Sequence, residues 1–139
     1  MTDLTPLGVK AIRDGVAAGE FTAREVAEAF NANVAAAQDA LNAFIVATPE
    51  RALEAADKVD ADRAAGKPLG PMAGVPIGMK DLFATRGVQT TAGSHILEGF
   101  VPEYESTVSQ KLWDAGAGML GKLNMDQFAM GSSNETSHF

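Results

Sequence analysis

Two apolar runs of strand length, Val75–Met79 and Ala117–Leu123, bracket a helical stretch from Ser106 to Ala115. That order restricts the fold more than any other feature of these 139 residues. A strand, a crossover helix and a second strand predict a right-handed parallel unit, and sheets of this class place their chemistry beyond the carboxyl ends of the strands. The first run ends in Lys80-Asp81. A lysine closing an otherwise uncharged strand is the kind that loses solvent, drops its pKa and serves as a base near neutral pH, whereas the other lysines read as helical or solvated. Its position alone leaves two readings of Lys80: a general base, or a strand-end side chain that snorkels its ammonium into water.

The segment before these strands reads as helical. From Thr5 to about Ala18, Leu7, Ile12 and Val16 recur at a loose helical period, and Gly19 supplies a stop. Thr22 and Glu25 form a capping box ahead of Val26, Ala29, Phe30 and Val34, so two short helices make a hairpin. Asn42–Ala47 is a compact apolar run that predicts a short strand, followed by Thr48 as N-cap, Pro49 as first helical residue and Glu50 as first-turn acid. The helix they open runs through Leu53, Ala56, Val59 and Ala64 to Gly66, and its face of Glu50, Arg51, Glu54, Asp57, Lys58, Asp60, Asp62 and Arg63 reads as solvated surface. Lys67–Pro71 reads as a loop too short and apolar for a domain linker, and Thr85–Gly99 as irregular chain.

Composition removes several function classes. There is no cysteine, which excludes disulfides, thiolate metal sites and cysteine nucleophiles. The net charge of −7 is spread, with 7 basic against 11 acidic side chains in residues 1–70 and 4 against 7 in residues 71–139. Neither half is a basic arm, so direct grip on nucleic acid is not expected. The N-terminal stretch Met1–Pro6 has no basic or apolar leader character, and no window approaches the ~18 apolar residues of a membrane span.

Two glycine patterns and two histidines invite functional readings that their context opposes. Gly116–Gly121 fits G-x-G-x-x-G, and Gly116–Lys122 fits the start of a phosphate loop. Phosphate loops follow a strand and open a helix; here Gly116 and Gly118 follow a helix and lead into a strand, which reads as a C-cap and tight turn. His95 and His138 are isolated in sequence and outside any metal-ligand spacing, so no metal site is expected. The closing block Gly121–Thr136 differs: Asn124, Gln127, Ser132, Ser133 and Asn134 surround Gly131 with small uncharged polar groups, suited to a loop that meets a small polar ligand or to a plain polar turn.

Three blocks carry a resemblance to the amidase signature family: Ala73–Asp81, Gly87–Ser94 and Gly121–Thr136. With Leu41–Phe44 fitting the same N-terminal region, the likeness covers essentially the whole chain, and the last block resembles the tRNA-dependent amidotransferase branch in particular. The resemblance implies an α/β fold, a mixed sheet flanked by helices, of which this chain is the N-terminal part. Residues 1–66 would be its helical portion with the N-terminal hairpin, and 67–139 the start of the α/β core of one amidase domain. It also implies a relay in which a lysine takes a proton through a middle serine so that a second serine attacks an amide carbonyl. Lys80 matches the lysine, and Met130, Gly131 and Ser132 match the substrate pocket.

The Gly/Ser-rich signature carrying both serines is expected after Phe139, since Ser132 and Ser133 belong to the preceding block and lack its glycine pairs. The implied activity is a cytoplasmic glutamine amidohydrolase that supplies ammonia for converting Glu-tRNA(Gln) to Gln-tRNA(Gln), in complex with the amidotransferase B and C subunits. The implied tRNA contact is indirect, no cofactor is expected in this chain, and ATP and Mg would be used by one of the partners. The alternatives are a stand-alone amidase of the same family or a non-catalytic interaction fragment.

Overall fold

Helix α2 (Ala23–Leu41) starts where its capping box places it: the Glu25 N–H donates to the Thr22 hydroxyl at 3.0 Å, and the Thr22 N–H donates to the Glu25 carboxylate at 2.8 Å. The computed structural model describes residues 3–139; Met1 and Thr2, part of the stretch read for a leader, lie outside the described residues. Helix α1 (Val9–Ala18) begins later than Thr5. The Asp3 carboxylate accepts from both the N–H and the hydroxyl of Thr5, a local turn that competes with helix. The chain leaves α1 through Gly19 at φ 75°, as its position after the last periodic residue predicts.

Helix α3 (Pro49–Ala64) differs from expectation at its start and along its polar face. Thr48 does not cap it with its side chain; the hydroxyl donates instead to the Met119 carbonyl at 3.1 Å and ties the helix start to the sheet. Nor is the polar face merely solvated. The Asp60 carboxylate accepts from the N–H groups of Ala23 and Arg24, two of the unsatisfied donors opening α2, while Arg63 donates to the carbonyls of Val16 and Phe21. α3 therefore staples the helical hairpin at both ends of its turn. Asp60→Ala is expected to cost about 1–2 kcal/mol, read as a lower denaturation midpoint, because the buried end of α2 loses its acceptor and its favourable charge.

The sheet has the order β1-β3-β2, with β1 Phe44–Ala47, β2 Pro76–Lys80 and β3 Gly118–Leu123. β2 and β3 run parallel, joined through helix α4 (Thr107–Asp114), whose Ser106 hydroxyl accepts from the Ser109 N–H; β1 lies antiparallel on the other side of β3. The sheet is thus mixed, and β1 belongs to it although it precedes residue 67. Asn42 is not strand but the left-handed end of α2, at φ 46°. The Gln38 amide then bonds both the N–H and the carbonyl of Phe44, covering that edge of β1.

Gly116 makes the expected turn after α4, whereas Gly118 and Gly121 lie within β3. One core packs Val16, Val26, Ala52, Val75 and Leu120 between helices and sheet; a second joins Met79, Val88 and Met119 to Trp113. No helix among the described residues is long and apolar enough to cross a membrane.

Candidate functional site

Strand alternation decides what surrounds Lys80. Lys80 pairs with Leu123 at the carboxyl end of the parallel ladder, while Met79 pairs with Lys122. Side chains two apart share a face, so Met79, Asp81 and Lys122 point one way and Lys80 the other. In these 139 residues Lys80 stands exposed, and among the described residues no carboxylate pairs with it. The lysine deprived of solvent is Lys122, 0% exposed in its side chain. This corrects the reading of the other lysines as helical or solvated. The signal in sequence is that Lys122 lies inside an apolar run of strand length, where a charged side chain needs partners.

The Lys122 ammonium donates to the Phe83 carbonyl at 2.6 Å, the Thr90 hydroxyl at 2.8 Å and the Thr85 hydroxyl at 3.2 Å. Both hydroxyls spend their own protons on the carbonyls of Phe83 and Val88. Three acceptors for one amine require three N–H groups, so the arrangement fits the charged form. Burial pushes the pKa of Lys122 below its ordinary value, and the Asp81 carboxylate 3.5 Å away opposes that shift. Asp81, also 0% exposed, accepts through Oδ2 from the N–H and hydroxyl of Thr91 and leaves Oδ1 without a hydrogen-bond donor among the described residues.

The closing block is tied to the same place by backbone. The Asp81 carbonyl accepts from Ala92, and the Ala92 carbonyl accepts from Phe128 at 2.8 Å. Ala92, Phe128 and Ala129 all have left-handed backbone, with φ 53°, 53° and 57°. Each such residue costs about 1–3 kcal/mol, a strain that clusters at functional sites. Next to them Met130, Gly131 and Ser132 lie exposed, with the Gly131 N–H held by the Asp126 carboxylate. Two successive backbone bonds thus connect the residue after Lys80 to the loop carrying the other three candidate residues.

Two further features complete the surroundings. His95 and His138 are not isolated in space: their rings lie 4.6 Å apart, His95 Nδ1 is 2.6 Å from a Glu98 oxygen, and ligand-type atoms of all three residues fall within 4.8 Å. Sequence spacing concealed this because His138 arrives from 43 positions away, held by its N–H to the Gly93 carbonyl. A groove of about 450 Å³, lined in part by Arg51, Lys58, Asp62, Trp113 and Met119, opens at the amino end of β3. It lies at the opposite end of the ladder from Lys80.

A parallel β2-α4-β3 unit with an added antiparallel strand, and an exposed lysine at its carboxyl end beside a strained polar loop, defines an α/β protein with its candidate site at the strand ends. Residues 25–139 match the family profile described as Amidase, and the chain belongs to the amidase family. It is 84% identical over its whole length to the A subunit of the glutamyl-tRNA(Gln) amidotransferase of Novosphingobium aromaticivorans, and 78% identical to that of Sphingopyxis alaskensis. The chain spans 28% of the length of each of these relatives. Among solved structures it resembles the native peptide amidase of Stenotrophomonas maltophilia, at TM-score 0.79 and 32% identity over 86% of this chain and 25% of that one. It also resembles a bacterial aryl acylamidase of the amidase signature family, at TM-score 0.81 and 28% identity over 88% of this chain and 26% of that one.

Proposed function

We propose that the protein to which these residues belong hydrolyses glutamine and passes the ammonia to partner subunits that convert Glu-tRNA(Gln) to Gln-tRNA(Gln). The observation that carries this reading is 84% identity along the entire chain to the A subunit of a glutamyl-tRNA(Gln) amidotransferase, with Lys80 standing at the carboxyl end of β2. The similarity to the peptide amidase is lower, at 32% identity.

In this reading the Lys80 amine is the base of a relay. It withdraws a proton through a middle serine, a second serine attacks the amide carbon of glutamine, ammonia leaves, and water releases the acyl group. Both serines belong to the Gly/Ser-rich signature that the resemblance places after residue 139, so these residues alone release no ammonia. The exposure of Lys80 fits that division, because its desolvation must come from polypeptide folded over the strand end. Met130, Gly131 and Ser132 line the glutamine pocket, with the strained backbone of Phe128 and Ala129 setting the loop. ATP and Mg act on one of the partners, the B and C subunits complete a cytoplasmic complex, and tRNA contact runs through the partner, in keeping with the −7 charge of this chain.

The test compares glutamine with simple aryl and aliphatic amides, with and without the B and C subunits. Ammonia release from glutamine that rises on adding the partners, with negligible turnover of aryl amides, is the expected result. Efficient aryl-amide hydrolysis by the protein alone would replace this reading with that of a stand-alone amidase.

A further inference from the structure

A fully buried ion pair is weak evidence of stabilisation, since apolar residues of similar volume often serve as well. The Asp81–Lys122 pair is in that position, with both side chains 0% exposed and 3.5 Å between Nζ and Oδ1. What distinguishes it is what its two members hold. Lys122 gathers Phe83, Thr85 and Thr90, the first part of the loop that leaves the Lys80 strand end. Asp81 gathers Thr91 through its side chain and Ala92 through its carbonyl, and Ala92 in turn receives Phe128. Thr91 Oγ1 accepts from Gly93, whose carbonyl receives His138. These straps between the residue following Lys80 and the closing block therefore converge on this one pair.

The strand register ties the pair to Lys80 as well. Lys122 and Leu123 are the β3 partners of Met79 and Lys80, and the Asp81 N–H donates to the Leu123 carbonyl at 3.2 Å. The pair closes the last rung of the ladder from the side opposite the Lys80 amine. The unbonded Asp81 Oδ1 facing an ammonium whose three protons are already spent makes the attraction one of charge at short range rather than a shared hydrogen bond.

We propose that the buried Asp81–Lys122 pair is a positioning element, which fixes the Lys80 strand end and the Met130–Ser132 loop in one geometry for the proton-transfer step. Neither residue touches substrate; both act through what they hold. The inference rests on the reading of Lys80 as the base. It adds that the orientation of that base depends on two charges lying on the other face of the ribbon.

The test uses the full-length protein in its complex and the near-isosteric neutral double variant Asp81→Asn/Lys122→Met. Single variants leave one buried charge unpaired and are expected to melt at lower temperature. The double variant is expected to regain most of the lost melting temperature, yet to hydrolyse glutamine with kcat about 100-fold below the parent and KM within about twofold. Recovery of both melting temperature and kcat would assign the pair a structural role only and overturn the proposal. If the double variant does not accumulate, Thr91→Val, which deletes the hydroxyl donor to Asp81, is read in the same assay. A roughly tenfold fall in kcat at constant KM supports positioning, and parental kcat overturns it. Parent and Lys80→Ala controls separate the two claims: equal activity of those controls sinks the base assignment itself, whereas an active parent, a dead Lys80→Ala and a fully active double variant sink only the positioning role.

Discussion

Lys80→Ala in the full-length protein is expected to lower kcat/KM for glutamine about 10⁴-fold or more while leaving the melting temperature nearly unchanged. The size of the loss follows from relay logic: the members of such a unit act together, so deleting the base removes most of the covalent route. The small stability effect follows from the structure, where Lys80 has no carboxylate partner among the described residues, and from the cost of desolvating an amine, which its removal relieves. The two halves of the prediction check one another through an ammonia-release assay and a thermal melt on the same sample. External ammonium should restore amidation by the complex, because only the supply of ammonia is lost. Near-parental glutamine turnover would remove Lys80 from the mechanism, and a collapsed melt would mean that the residue acts through the fold.

What could be read from sequence divides along a physical line. Local chemistry was legible: the Thr22–Glu25 capping box, the Gly19 stop, the Pro49 start and the strand-helix-strand order all depend on residues within a few positions of each other. What required the third dimension was not. The Thr48 hydroxyl abandons its own helix for Met119, Asp60 serves a helix that begins 37 residues earlier, and His95 meets His138 across 43 residues.

The candidate site shows the same division. The strand-end position of Lys80 was legible, but the partners of Lys122 were hidden, because its three acceptors come from residues 83–90 and its counter-charge from residue 81. A lysine inside a strand announces that such partners must exist without naming them, and the acid nearest in sequence, Asp126, is not the one it meets. The antiparallel placement of β1 was likewise invisible to hydrophobic pattern, which records burial and not strand direction.

Gly121→Ala is expected to destabilise the protein by about 2–4 kcal/mol, the largest stability loss of any single methyl group added to this sheet. Gly121 occupies the central strand, with backbone at φ 156°, and opposes Ala47 on one side and Gly78 on the other. Both ladders change register beside it, between Phe44 and Val46 in β1 and between Ile77 and Gly78 in β2. A Cβ there would press on the Val46 carbonyl oxygen and come within 2.9 Å of the Ala47 Cα. These are backbone atoms, which cannot swing aside as a flexible side-chain end could. Relief would require β1 to leave β3, and the next residue along β3 is Lys122, whose acceptors tolerate little displacement. The melt should therefore fall together with glutamine turnover. By contrast Gly66→Ala, at φ 67° with nothing within 4 Å of the added Cβ, should cost only the local backbone penalty of roughly 1–2 kcal/mol and leave turnover intact. Equal effects of the two substitutions on both readouts would show that the close approach at Gly121 does not transmit to the strand end that carries Lys80.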